Sequence, residues 1–187
     1  MKSIEKNTQK TYIINKSKFI TKLYRIESED EVTNILAVLK KEYKDATHIC
    51  YGYIVGNTKR FNDDGEPGGT AGMPILNVLE NNKLDYILGV VIRYFGGIKL
   101  GAGGLVRAYS NSVSETLKDN ITEYVLGKQI KITFDYNNVK EVDNLIKDEE
   151  IISKEFNEQI TYIVNVKKIN LPKYVKIDII KDIYVKS

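Results

Sequence analysis

The sequence predicts a two-domain α+β protein, divided between residues 122 and 127. Three observations lead there. Short β-prone runs and amphipathic helical patterns are interspersed along the first 120 residues, and a composition change falls near residues 120–127. The remaining chain then reads strand, helix, strand, strand. With 187 residues, 42% of them hydrophobic and 28% charged, the chain has the balance of a globular protein and not of a disordered tail. At that length it buries about two-thirds of its unfolded surface.

The first domain covers residues 1–122. Thr11–Asn15 and Lys18–Ile26 are β-prone runs joined by polar residues. Ser28 opens a capping box with Glu31 three positions on, and Val32, Ile35, Leu36, Leu39 and Tyr43 keep helical spacing. The pattern predicts an amphipathic helix over 29–44. Ala46–Val55 reads as a strand with His48, Cys50 and Ile54 on one face and Ile49, Tyr51, Tyr53 and Val55 on the other. A glycine-rich acidic loop, Phe61–Gly72, precedes a helix near Pro74, since proline suits a first helical turn. Ile75, Leu76, Val78 and Leu79 give that helix an inner face. Ile87–Ile92 is apolar throughout, as in a strand covered on both sides. It runs into a second glycine-rich loop, Arg93–Gly104. Beyond it Leu105, Ala108, Tyr109, Ser112, Val113, Thr116 and Leu117 mark a long helix.

The second domain covers residues 127–187. Ile130, Ile132, Phe134 and Tyr136 alternate as a strand. Asn138 and Glu141 open a helix whose Val139, Val142, Leu145 and Ile146 face inward. Strands follow near 150–157 and 160–168, an order that predicts a split βαβ, ferredoxin-like domain. Leu171–Ser187 fits helix or strand.

Composition narrows the function. No apolar run approaches the roughly 18–20 residues that span a bilayer, and the polar start MKSIEKNTQK lacks an apolar signal segment. Cys50 is the single cysteine, which excludes an internal disulfide. A cytoplasmic protein without membrane contact is expected. The net charge of +3 is too small to announce nucleic acid. All of it lies within residues 1–120, which confines any basic patch to the first domain.

Three constellations can carry chemistry. In the loop 93–104, Gly96, Gly97, Gly101, Gly103 and Gly104 allow a ligand to approach the main chain. The loop ends at a helix N-terminus, where free N–H groups and the dipole favour an anion, and Arg93, Lys99 and Arg107 flank it. The expected ligand is a phosphate of nucleic acid or a nucleotide; the alternative is that the glycines only permit a tight turn. No Gly-Lys-Ser/Thr closes the loop, and its spacing misses the dinucleotide fingerprint.

In the acidic loop, Asp63, Asp64 and Glu66 can hold Mg²⁺ or supply a general base for a hydrolase, or pair with Arg93 or Arg107. Arginine's fork and the absence of EF-hand spacing favour pairing, with no metal and no cofactor. His48 and Cys50 lie roughly 6–7 Å apart on one strand face. A thiolate–imidazole pair needs closer contact, and zinc would lack a second cysteine or histidine. A buried core cysteine is the competing reading. Tyr51, Tyr53, Tyr94 and Tyr109 either stack on bases or fill a core.

Three segments together, Asp45–Cys50, Asp63–Pro74 and Arg93–Tyr109, resemble the signature of the YigZ/IMPACT family. The resemblance implies a first domain with the fold of the second domain of small-subunit ribosomal protein five. It implies a second domain like the ferredoxin-like one of elongation factor G, completed by a further helix and strand. Because the chain stops at Ser187 after an ambiguous tail, that last strand is expected to be missing. For function, the resemblance implies a non-enzymatic binding role in the translation apparatus, with RNA or the ribosome as partner. The alternative is a protein partner in translation control without nucleic acid, as in eukaryotic relatives that use an additional domain. A dipeptidase label carried by some relatives does not suit a chain with one histidine.

Overall fold

In a computed structural model that describes all residues Met1–Ser187, a short β1 (Lys2–Ile4) precedes β2 (Thr8–Ile14), β3 (Ser17–Arg25) and α1 (Glu29–Glu42). Then come β4 (His48–Val55), β5 (Thr58–Asn62), α2 (Gly72–Asn81), β6 (Ile87–Tyr94) and α3 (Gly101–Leu117). The rest comprises β7 (Ile121–Phe134), α4 (Val139–Leu145), β8 (Glu150–Phe156), β9 (Ile160–Val166) and β10 (Lys176–Lys186). The chain divides into two compact units, Met1–Thr122 and Glu123–Ser187.

In the first unit an antiparallel sheet of order β2-β3-β6-β4-β5 is covered on both faces. Strand alternation makes two cores. Phe19, Leu23, Cys50, Ile54, Ile87 and Val91 pack with α2 and α3, while Ile20, Ile49, Leu88, Val90 and Ile92 pack with Val32 and Leu39 of α1. The expected faces of β4 and the all-apolar β6 follow directly. Ser28 caps α1 through its hydroxyl, which accepts the Glu31 N–H at 3.3 Å. The Glu31 carboxylate reaches back one residue further than a capping box requires, to the Glu27 N–H at 3.0 Å. β2 and β3 are joined by Asn15-Lys16, both at positive φ (45° and 64°), a two-residue turn whose twist suits a hairpin. β5 was not anticipated: Thr58-Lys-Arg-Phe-Asn62 is a polar edge strand without an apolar face.

The second unit is α+β with strand order β10-β7-β9-β8, every neighbouring pair antiparallel. Ile130, Ile132, Phe134, Tyr162 and Val164 form its core with Val142 and Ile146. The predicted split βαβ is present. The expectation that the last strand is missing is overturned: β10 pairs along β7 from Lys176 to Lys186. What the ferredoxin-like pattern lacks is its second helix, since no helix lies between β9 and β10. The tail was unreadable because a bulge between Ile179 and Lys181 breaks the alternation, putting Ile179 and Ile180 side by side. No helix is long and apolar enough to cross a membrane.

Candidate anion-binding pocket

The register of the first sheet sets Phe19, Arg93 and His48 beside one another on β3, β6 and β4. They lie on the face that α2 and α3 cover. Arg93, only 5% exposed, is therefore drawn into the protein at the end of an apolar strand and needs a counter-charge. Glu66 supplies it: Arg93 Nη1 donates to Glu66 Oε1 at 2.6 Å. Nη2 donates to Ser17 Oγ at 3.3 Å, and the guanidinium lies 5.4 Å from the Phe19 ring centroid and 5.5 Å from that of Phe95. The pairing of the acidic loop with Arg93 is thus realised, while the Arg93 Nε, buried as well, has no hydrogen-bond partner.

The remaining carboxylates point elsewhere. Asp63 Oδ1 accepts the N–H groups of Ala71 and Gly72 at 3.1 and 2.8 Å, and Oδ2 accepts that of Gly69 at 2.8 Å. Asp63 thereby caps α2 from a distance. Asp64 Oδ2 accepts the Ile49 N–H at 2.6 Å. Pairing with arginine was expected of both, but backbone amides of a tight loop are nearer and equally in need of an acceptor. No three His, Cys, Asp or Glu side chains are grouped to hold a metal ion. The Mg²⁺ reading and the hydrolase built on these three acids lose their cluster.

His48 Nδ1 lies 2.8 Å from the Asp64 carbonyl, so a donated N–H there leaves Nε2 facing Glu66 Oε2 at 3.8 Å. Cys50 is fully buried, 3.0 Å from the Asp63 carbonyl and 3.4 Å from the Tyr109 hydroxyl. Burial pushes its thiol up to about 12 from the ordinary 9.0, against the opposing effect of its hydrogen bond with Tyr109. A thiol so protonated is no nucleophile. Tyr109 donates to Glu66 Oε1 at 2.8 Å, and burial raises its own hydroxyl. It is a core residue, as is Tyr53, bonded to Glu29; Tyr94 is half-buried and bonded to Asp45.

The second glycine loop behaves differently. Gly96 sits where a Cβ would come within 2.0 Å of the Lys16 carbonyl group, and its N–H donates to Ser17 Oγ at 3.2 Å. The β2–β3 turn is thus pressed against the loop, which only glycine permits. Gly97 and Gly101 have φ of 85° and 69°; Gly104 packs on Leu100, and Gly103 lies beside Arg107 Nη1. Leu100 occupies the cap position of α3 and no side chain accepts from its first turn. That turn, with Thr47, His48, Glu66, Phe95 and Lys99 among its companions, lines a pocket of about 400 Å³. Lys99 and Arg107 are exposed.

The predicted residues therefore sort by place: Lys99 and Gly101 line the pocket from the helix end, Arg93 and Glu66 line it as a buried pair, and Arg107 lies outside its lining, exposed beside Gly103. Sequence reasoning missed Ser17, Thr47 and Phe95. Phe95 could have been found, being an aromatic wedged between an apolar strand and two glycines. Nothing in the pattern signals Ser17.

Comparison with known proteins matches this architecture. Residues 15–117 match the Impact N-terminal domain, which includes the whole pocket. The chain is 42% identical over 149 residues to the IMPACT family member YvyE of Bacillus subtilis, covering 78% of this chain and 69% of that protein. It is 39% identical over 125 residues to the IMPACT family member YigZ of Escherichia coli, covering 60% and 61%. A solved structure described as that of a hypothetical protein aligns over 88% of this chain and 84% of its own, with a TM-score of 0.64 and 29% identity. With a domain match spanning more than half its length, this chain belongs to the IMPACT family.

Proposed function

We propose that this protein is a non-enzymatic binding protein whose α3 N-terminus takes a phosphate of RNA or of a nucleotide, in the regulation of translation. The observation that carries the reading is the uncapped first turn of α3, which lines a pocket together with exposed Lys99, while exposed Arg107 stands further along the helix beside Gly103. Free N–H groups and the helix dipole favour an anion there, and the two cations add long-range attraction. The translation setting follows from the family resemblance.

The test is fluorescence anisotropy with a 3′-labelled short single-stranded RNA, titrated across a salt series. Affinity should fall steeply with salt. Lys99→Ala and Arg107→Ala should each weaken binding and reduce the log–log salt slope by about 1. RNA binding that ignores both salt and these substitutions rejects the reading. Capture of a protein partner that survives RNase treatment would favour the protein-interaction alternative instead.

A further inference from the structure

We infer that Arg93, through its Nε–H, is a direct ligand of the bound anion, and that this anion is a singly charged phosphodiester within an RNA strand. The inference rests on the phosphate-binding reading above and adds to it a donor and a charge class.

The donor comes first. Arg93 is 5% exposed and lines the pocket beside the first turn of α3. Its Nη1 is taken by Glu66 and its Nη2 by Ser17, but Nε is buried and has no acceptor. A buried N–H left in that state is costly, and a ligand oxygen delivered to it relieves the cost. Two rings flank the guanidinium. Phe19, at 5.4 Å, is fully buried and packed edge-on against Tyr109, whereas Phe95, at 5.5 Å, is 46% exposed. Phe95 is therefore the piece of wall that turns aside to admit an anion to Nε. An uncapped helix end and an unspent guanidinium donor thus meet at one pocket, and both ask for an oxygen acceptor.

Charge decides the class of anion. The Arg93 cation is matched by Glu66, whose side chain is 3% exposed, so the buried wall is neutral as a pair. Beyond it stand the helix end, equivalent to about half a positive charge, and Lys99, which is exposed and screened by solvent. That sum answers one negative charge. A terminal phosphomonoester brings about 1.5 to 2. Its surplus would face the Glu66 carboxylate between the apolar side chains of Phe95, Leu100 and Leu105, where repulsion is poorly screened. A phosphodiester carries a single charge. The pocket is also half open, so a strand can enter and leave on either side of the bound phosphate.

The experiment follows the Arg93 Nε–H signal of the ¹⁵N-labelled full chain by NMR, assigned through the Arg93 side-chain carbons. It is run at about pH 8, where imidazoles are uncharged and phosphomonoesters are dianions. The titrants are dimethyl phosphate, methyl phosphate, acetate and a short RNA with a 5′-hydroxyl. Dimethyl phosphate and the RNA should both shift the signal, and dimethyl phosphate should bind about tenfold more tightly than methyl phosphate. Arg93→Lys keeps a cation for Glu66 but has no N–H at the Nε position, and should weaken dimethyl phosphate about tenfold. If that variant fails to fold, the shift in the parent chain decides. RNA that binds without moving the signal overturns the inference and leaves the phosphate reading at the helix end standing. So does methyl phosphate bound as tightly as dimethyl phosphate, or dimethyl phosphate bound while the RNA is not. Acetate moving the signal when no phosphate compound binds gives the pocket to a carboxylate and overturns both readings. Binding of none of the titrants overturns both as well.

Discussion

Two glycine-rich loops each deliver the chain from a strand to a helix in the same unit, and they end differently. Before α2, Asp63 turns its carboxylate back on the loop and takes three backbone N–H groups. Before α3, the cap position is Leu100 and no side chain answers the first turn. The first loop is closed by its own residues, which makes it structural. The second leaves its first helical turn without a side-chain acceptor, and that turn lines a pocket. Glycine content alone is therefore a poor guide to binding; what matters is whether an acidic residue lies within reach of the amides.

The contrast can be broken from either side. The largest effect is expected at Arg93→Ala, which leaves the Glu66 carboxylate buried without its cation. A loss of roughly 3–5 kcal/mol in a urea titration is expected. A loss below about 1 kcal/mol would show that the pair holds nothing together. Asp63→Ala strips three amides of their acceptor and should cost about 2–3 kcal/mol, read the same way.

Alkaline pH probes the closed loop through Cys50, whose sulfur touches the Asp63 carbonyl. Its folded-state pKa of about 12 lies above the ordinary 9.0, so the unfolded chain sheds this proton first. The native state then binds more protons than the unfolded one, and stability falls as pH rises from about 9 toward about 12. Below that window the thiol contributes no pH dependence. Urea midpoints at several pH values should decline less in Cys50→Ala than in the parent protein.

The smallest effect tests the open loop. Ala102→Glu places a carboxylate in the first turn of α3, where the dipole favours it by about 0.3–1 kcal/mol. Stability should rise slightly while affinity for RNA falls, two readouts moving in opposite directions. Were both to fall, the helix end would not be the free donor site described above.

How much of this was legible in advance depended on whether local pattern or long-range contact decides a residue's place. α1 could be read because Ser28, Glu31 and the apolar spacing agree, and β6 because every residue from Ile87 to Ile92 is apolar. β5 could not, because an edge strand exposed on one side needs no apolar alternation. The pocket was half legible. The glycines and Lys99 announce themselves, but Arg93 reads as one more loop cation until the strand register turns it inward toward Glu66, 27 positions away in sequence. No spacing rule encodes that turn.

The bulge in β10 has a bearing on how the molecule behaves in a crowd. β10 closes one border of its sheet, and a regular strand there would offer a ready template for a second chain to zip onto. The extra residue between Ile179 and Lys181 puts the strand's regular hydrogen-bonding out of step, and Lys176, Asp178, Lys181, Asp182 and Lys186 stud the same strand with charge. Fibril-like stacking through that border is discouraged by the irregular geometry and by charges that a second chain would have to strip of water, although Ile179 and Ile180 sit exposed at the rim.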